Sequence, residues 1–227
     1  MHSSAALSIE IERGLDRWPP VEPVRAVVFD VVGTLIEPDP PVPMAYRQAG
    51  LRQGIDLELS SIRARFGEAW RRQEQLDAVG VPPFATSRKR EEDRWRQIVL
   101  DVFDRAPQAE DIFRDLWTHF GRGESWKPTS WAGRLVSDAK AAGMTVALAS
   151  NFDERLVRVA RDVEPLTGFK HVFASSELEW RKPAREFFRA VEHRLGLEPR
   201  QLLLVGDDPN LDLQAAVDAG WWTRAIA

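Results

Sequence analysis

The chain has 227 residues and a formal net charge of -4, and 44% of its residues are hydrophobic and 29% charged, which is typical of a globular protein. The acidic excess leaves no broad basic face, so nucleic acid and membrane surfaces are poor candidate partners. The lack of cysteine excludes disulfides and thiolate chemistry, and no apolar run approaches the roughly 18 residues that span a bilayer. Residues 1–23 lack signal-peptide features and predict an irregular lead-in, so we expect a cytoplasmic protein.

The first predicted element is a short buried strand that ends in an aspartate. The apolar run 27–29 leads directly into Asp30, and Gly33 and Thr34 follow within four positions. Such a run predicts a strand, and the glycine permits a sharp turn after it. Asp30 therefore lies at the carboxyl end of a strand, where open α/β sheets bind ligands. It is a candidate nucleophile or metal ligand, although a plain loop cap shows the same pattern.

The middle of the chain changes to helical periodicity. A proline-rich segment, 37–43, interrupts regular structure, and apolar residues then recur at helical spacing until about residue 126. We predict an all-helical insert over 41–126 that divides a core domain into 24–40 and 127–227. A partner-binding helical bundle would show the same periodicity.

The rest of the chain alternates between predicted helices and strands. Such alternation predicts a parallel sheet with helices on both faces, which is an α/β fold. The predicted helices cover 132–142, 153–163, 183–195 and 211–219, and the predicted strands cover 144–149, 171–174, 202–205 and 222–226.

Polar side chains follow the predicted strands. Because the carboxyl ends of parallel strands face the same way, these side chains can meet at one crevice. They are Asp30 with Thr34, Ser150 with Asn151, Lys182 on a loop before a helix, and Asp207, Asp208 and Asp212 after the apolar run 202–205.

Together these side chains would support phosphoryl transfer through a covalent aspartyl intermediate. Asp30 would attack phosphorus, because a carboxylate acts as a nucleophile when its target is oriented and its charge is neutralised. One or two of Asp207, Asp208 and Asp212 would hold Mg²⁺, a hard cation that prefers carboxylate, water and phosphate oxygens.

The remaining polar residues would orient the phosphate and balance charge, but each has a simpler interpretation. Ser150 and Asn151 would donate hydrogen bonds to phosphate oxygens, or cap a helix. Lys182 would offset the negative charge of the nucleophile and the phosphate, or stand solvated before a helix. Asp208 and Asp212 could also be the cap and first turn of the last helix. The occurrence of all four clusters at strand ends favours a shared site.

These segments resemble the signature motifs of the haloacid dehalogenase-like (HAD) hydrolase superfamily, and the resemblance extends over about residues 25–226. It implies a Rossmann-like core, an α-helical cap inserted after the first motif, dependence on Mg²⁺ and small phosphoester substrates, so the expected partner is a small phosphorylated metabolite. The matching segments are 29–35, 149–151, 181–183 with Phe187 and Phe188, and 206–212 followed by Ala219 and Gly220.

The same resemblance suggests the metal ligands. By analogy, Asp30, the backbone carbonyl of Val32 and Asp207 would reach the metal. Asp208 or Asp212 would support it. Cap residues would determine the substrate, and Trp70 is one residue that could line the crevice, as could three cap arginines, Arg47, Arg65 and Arg72.

The sequence departs from the family's phosphatases at Val32. Those enzymes usually have a second aspartate there, which protonates the leaving group and then activates water, a contribution worth roughly 10²–10⁴ in rate. Valine can do neither, so we expect a phosphatase with weak or narrow activity. A non-catalytic phosphate-binding or interaction protein is the alternative.

Two further reactions in the superfamily dispense with that aspartate. A 2-haloacid dehalogenase releases halide, but Asp207, Asp208 and Asp212 would face an anionic substrate without a screening cation. Phosphonate hydrolysis requires a cap lysine, and Lys89 lies in a charged run, 88–93, that is typical of a solvated helix face.

Overall fold

The computed structural model describes residue 18 and residues 23–226, so most of the predicted lead-in over 1–23 lies outside the described residues. Its strands are β1 (Ala26–Phe29), β2 (Ile36–Pro38), β3 (Trp126–Pro128), β4 (Thr145–Ser150), β5 (His171–Ala174), β6 (Leu202–Gly206) and β7 (Trp222–Ala225). Its α-helices are α1 (Val42–Arg52), α2 (Leu59–Ala78), α3 (Arg88–Val102), α4 (Ala109–Phe120), α5 (Ala132–Ala141), α6 (Leu156–Asp162), α7 (Ser175–Leu178), α8 (Arg185–Leu195) and α9 (Ala215–Asp218).

Five strands form a parallel sheet in the order β5-β4-β1-β6-β7, which confirms the predicted α/β fold. β1 lies in the middle and is buried on both faces. Val27 and Phe29 pack into one apolar cluster, and Ala26 and Val28 pack into the other. A strand covered on both faces is apolar throughout rather than alternating, and this is why the run before Asp30 contains no polar residue.

Four helices, α1 to α4, lie between β2 and β3 and have an apolar cluster of their own. The helical spacing in this part of the sequence thus corresponds to four helices. Among the described residues, none of the helices is both long and apolar enough to cross a bilayer.

The sequence analysis missed a two-stranded antiparallel ribbon where the chain enters and leaves these helices. β2 pairs with β3, with Ile36 opposite Pro128 and Pro38 opposite Trp126. The proline-rich segment was expected to be irregular. Proline is accepted here because a two-stranded ribbon consists only of edge strands, whose outward positions need no backbone donor.

Three predicted helix boundaries were wrong. The helix expected from Pro183 begins at Arg185, after a turn in which the amide of Ala184 donates to the carbonyl of Arg181 at 2.9 Å. The helix expected over 153–163 covers Leu156–Asp162. The helix expected over 211–219 is instead a π-helical segment, Pro209–Gln214, followed by α9.

Candidate active site

Asp30 follows β1 directly and lies at the carboxyl edge of the sheet. Its amide donates to the carbonyl of Val205 at 2.9 Å, which extends the pairing of β1 with β6 and fixes the start of the turn. Its side chain is buried and accepts a hydrogen bond from the ammonium of Lys182 at 2.6 Å. The same ammonium donates to Asp212. Lys182 therefore bridges two carboxylates on different segments, since Asp30 follows β1 and Asp212 lies in the π-helical segment after β6.

Three carboxylates converge at this edge. One oxygen from each of Asp30, Asp207 and Asp212 lies within 4.8 Å of the others. Asp30 and Asp212 are buried, whereas Asp207 is exposed. The three carboxylates face one ammonium, that of Lys182, so negative charge is in excess at this point.

Asp208 is not part of this cluster. Its carboxylate accepts hydrogen bonds from the amides of Asn210 and Leu211, both at 2.8 Å, and so caps the π-helical segment. This is the simpler interpretation that the sequence left open. Of the predicted metal-ligand carboxylates, Asp30, Asp207 and Asp212 form the cluster, and a supporting role of Asp208 at the metal stays a prediction.

The turn after β1 holds Asp207 in place. The hydroxyl of Thr34 donates to Asp207 at 2.9 Å. Gly33 has φ +92°, and a Cβ built on it would lie 2.5 Å from a carboxylate oxygen of Asp207. Glycine is required here for two reasons, since the backbone is left-handed and the carboxylate fills the space of a side chain. The predicted phosphate contact of Thr34 stays a prediction.

Asn151 positions Lys182. Its side-chain nitrogen donates to the carbonyl of Lys182 at 2.9 Å, and its side-chain oxygen accepts from the amide of Lys182 at 2.7 Å. Both ends of the amide are thus used on the loop that carries the lysine. Ser150 is the buried last residue of β4. That Ser150 and Asn151 bind phosphate remains untested by these contacts.

Burial and like charges raise the pKa of Asp30 to about 7. Loss of solvent is the largest cause, the charge of Lys182 opposes it, and Asp212 and Asp207 raise the pKa further. For Lys182, burial alone would lower the pKa, but attraction to Asp30 and Asp212 outweighs it and raises the pKa above its ordinary value. The lysine is therefore charged, while the carboxylate cluster carries more negative charge than one lysine balances.

An apolar cavity of about 380 Å³ adjoins the cluster. Val32, two residues after Asp30, and Asn151, which contacts the Lys182 loop, form part of its lining, and aromatic side chains of the helical insert form much of the rest. Four of the nine tryptophans of the chain are among the lining residues, namely Trp70, Trp95, Trp117 and Trp126. The sequence analysis named Trp70 as a residue that could line the crevice but did not predict this cavity or its aromatic lining.

The arginines and the lysine of the insert that the sequence analysis considered form ion pairs instead of lining the cavity. The guanidinium groups of Arg47, Arg65 and Arg72 form ion pairs with Asp56, Asp104 and Asp101, respectively. None of the three lines the cavity. Lys89 pairs with Asp93, and its side chain is 83% exposed, as expected for a solvated helix face.

Two charged groups near the site were not predicted as important. Arg181 makes two hydrogen bonds of 2.7 Å to Glu91 of α3, and both residues are buried. Arg155 contacts Asp153 at 2.6 and 2.7 Å and lies 3.4 Å from the ring of Trp117. Arg181 and Glu91 are far apart in sequence, as are Arg155 and Trp117, so residue spacing could not predict these two contacts.

Residues 24–220 match the family model of the haloacid dehalogenase-like hydrolases. The chain belongs to this family. Haloacid dehalogenase-like hydrolase domain-containing protein 3 of Bos taurus is 25% identical over 214 residues, which are 90% of this chain and 82% of that protein.

Solved structures show the same fold. The defluorinating L-2-haloacid dehalogenase Rha0230 has a TM-score of 0.70 at 19% identity and covers 88% of this chain and 80% of its own. The HAD-hydrolase YfnB of Bacillus subtilis, solved bound to magnesium, has a TM-score of 0.67 at 18% identity and covers 89% of this chain and 88% of its own. At these identities the likeness concerns the fold alone.

Proposed function

We propose that this HAD-like hydrolase is a Mg²⁺-dependent phosphatase that acts on a small phosphoester through an aspartyl-phosphate intermediate. The observation that carries the proposal is the convergence of Asp30, Asp207 and Asp212 around a single ammonium, that of Lys182. A haloacid substrate would add another negative charge to this site, whereas a divalent cation would balance it.

The donor set suits Mg²⁺. The ligands would be oxygens of Asp30, Asp207 and Asp212, with the backbone carbonyl of Val32 as a further candidate, and hard oxygen donors are those that Mg²⁺ prefers. Bound there, Mg²⁺ would neutralise the charge on phosphate oxygens as the nucleophile approaches. The magnesium-bound HAD hydrolase YfnB offers a parallel.

In this proposal Asp30 attacks phosphorus, and the bond from phosphorus to the leaving oxygen breaks. Lys182 lies 2.6 Å from the nucleophile and offsets its charge and that of the phosphate. Thr34, Ser150 and Asn151 would orient phosphate oxygens, Asn151 mainly by holding the Lys182 loop. Water then attacks the aspartyl phosphate, which releases inorganic phosphate and restores Asp30.

Two further features belong to the proposal. The helices over 41–126 would form a cap domain that encloses the substrate, with the core over 24–40 and 127–227. Val32 leaves the leaving group without an acid, so activity would be narrow and best on groups that depart without a proton. The protein would act in the cytoplasm.

Steady-state hydrolysis of p-nitrophenyl phosphate tests the proposal, because p-nitrophenolate departs unprotonated. We expect turnover that requires Mg²⁺ and that Asp30→Asn abolishes. Asp39→Asn is a matched control, since Asp39 is exposed and outside the cluster, and it should retain full activity.

Other outcomes identify the alternatives. Binding of Mg²⁺ and phosphate without turnover above the Asp30→Asn background would indicate a non-catalytic binding protein. Metal-independent release of chloride from a 2-haloacid would indicate a dehalogenase.

A further inference from the structure

The cavity beside the carboxylate cluster has a composition that suggests what it binds. Its volume of about 380 Å³ lies within the range of roughly 300–1,000 Å³ for small-molecule sites. Aromatic rings form a continuous wall on the insert side. The ring centroids of Phe66 and Trp70 are 6.1 Å apart, and those of Trp70 and Trp95 are 5.6 Å apart. A flat apolar group would stack on such a wall.

The few charged and polar residues of the cavity lining argue against a polar or cationic ligand. Arg155 is the charged residue in the lining, which contains no aspartate or glutamate. Its guanidinium is already engaged by the Asp153 carboxylate and the carbonyl and ring of Trp117. An aromatic wall can bind a quaternary ammonium, but this lining contains no carboxylate to balance the charge of a cation. A sugar would leave its hydroxyls without partners.

Two of the lining residues place the cavity beside the site of chemistry. Val32, two residues after the candidate nucleophile, and Asn151, which holds the Lys182 loop, both contribute to the lining. The side of the site on which phosphatases of this superfamily carry an acid is therefore apolar here. A group in the cavity would be attached to the phosphate at Asp30.

We propose that the cavity binds the leaving group of the substrate and that this group is an uncharged aromatic alcohol. The chain would then hydrolyse aryl phosphates in preference to phosphates of polar alcohols. Asp30 forms a bond to phosphorus, the bond from phosphorus to the aryl oxygen breaks, and the aryloxide takes its proton from water. This inference rests on the proposed phosphatase activity. It also accounts for Val32, because an aryloxide is a better leaving group than an alkoxide and needs less help from an acid.

Gly67 provides a way to fill the cavity without disturbing the fold. It lies in α2 and lines the cavity, and a Cβ built on it meets no atom within 4 Å. Leucine there would occupy cavity space and would favour the helix by about 1 kcal/mol over glycine. Gly133 of α5 also has no atom within 4 Å of a built Cβ, is exposed and lies outside the lining, so Gly133→Leu is the matched control.

The test compares kcat/KM for 2-naphthyl phosphate and phenyl phosphate, whose leaving groups have similar acidity and differ mainly in size. Acetyl phosphate, which has no ring, is the reference for phosphatase activity. We expect the protein to prefer the naphthyl ester by on the order of tenfold, since discrimination by apolar surface is of this size. Gly67→Leu should reduce this preference to near one, and Gly133→Leu should preserve it.

The outcomes separate the two proposals. Acetyl phosphate turnover that depends on Asp30, combined with no naphthyl preference, would overturn the inference and leave the phosphatase intact. If none of the esters is turned over, calorimetric titration with 2-naphthylmethylphosphonate and methylphosphonate still tests whether the cavity binds an aromatic group. Tighter binding of the naphthyl compound that Gly67→Leu removes would support the aromatic site, whereas equal binding, or tighter binding of phosphocholine, would overturn it.

Discussion

Val32 follows Asp30 by two residues, and it lines the apolar cavity where related phosphatases place an acid. Val32→Asp should supply the proton that an alkoxide leaving group needs. We expect kcat for an alkyl phosphate to rise by up to roughly 10², at the lower end of the range for general acid–base catalysis. Acetyl phosphate should gain less, because acetate departs unprotonated.

Val32→Asn is the matched control for this gain, because asparagine is polar and of the same size but cannot transfer a proton. Equal rates for the aspartate and asparagine variants on the alkyl phosphate would contradict the interpretation of Val32 as a missing acid.

Alanine variants of Gly33 and Gly54 test whether the contact with Asp207 explains the glycine at position 33. Both have positive φ, +92° and +78°, but only at Gly33 does a built Cβ collide with another residue, Asp207. Alanine at either position should lower the free energy of unfolding by about 1–2 kcal/mol, the cost of left-handed backbone. Gly33→Ala should in addition weaken Mg²⁺ binding by about 10–100-fold, since it displaces a candidate ligand.

Calorimetric titration with Mg²⁺ and urea denaturation of both variants measure these effects. If Gly54→Ala weakened Mg²⁺ binding as much as Gly33→Ala, the contact with Asp207 would not explain the requirement for glycine.

Between elements, the insert and the core are joined by a group of charges that is buried except for the half-buried Glu74. We call it the insert–core ion cluster: Glu74, Asp77, Glu91, Arg94 and Arg181. Backbone bonds reinforce it, as the amide of Thr86 donates to Glu179 and that of Arg181 donates to Phe84, at 2.9 and 3.0 Å. Because Arg181 immediately precedes Lys182, the attachment of α3 to the core also positions the lysine of the site.

Glu91→Gln should be strongly destabilising because it removes the carboxylate charge closest to the buried Arg181, at 2.7 Å, and leaves only the more distant Asp77 and Glu74, at 3.5 and 3.6 Å. We expect a loss of about 3–5 kcal/mol in the free energy of unfolding. Glu92→Gln, the next residue on α3, removes an exposed pair with Arg96 and should change it by less than about 0.5 kcal/mol. Urea denaturation measures both, and similar losses for the two variants would contradict a structural role for the cluster.

The same contact predicts a dependence of stability on pH. Burial alone would raise the pKa of Glu91, but the charge and hydrogen bonds of Arg181 hold it below its ordinary value. The unfolded chain therefore binds a proton at higher pH than the folded chain does, so this stabilisation is present above about pH 4.5 and is lost as pH falls through the folded pKa. Denaturation curves from pH 7 to pH 3 should show a smaller acid loss for Glu91→Gln than for the unaltered protein.

The sequence predicted those strands and helices whose pattern lies within one short stretch of the chain. The apolar run before Asp30 predicts a central strand, and helical spacing predicts the insert. It did not predict the β2–β3 ribbon, because the pairing of Ile36 with Pro128 depends on the insert bringing distant segments together. Glu91 and Arg181 were missed for the same reason.

Among the site residues, strand ends predicted that Asp30, Lys182, Asp207 and Asp212 would meet, but only coordinates show that Asp208 caps a helix and Asn151 holds a loop.

For the whole molecule, the carboxylate cluster joins segments that are far apart in sequence, since Asp30 follows β1 and both Asp207 and Asp212 follow β6. A ligand that binds only where all three are assembled stabilises the folded chain by mass action, by about 2.7 kcal/mol at a concentration 100 times its Kd. We therefore expect Mg²⁺ to raise Tm in thermal unfolding, and Asp207→Asn and Asp212→Asn to abolish this rise. Asp208→Asn should keep it, because the Asp208 carboxylate binds the amides of Asn210 and Leu211 rather than facing the cluster. A rise that survives loss of Asp212 but not of Asp208 would mean that the cation binds at the exposed helix end, and the assignment of the ligands would have to be reversed.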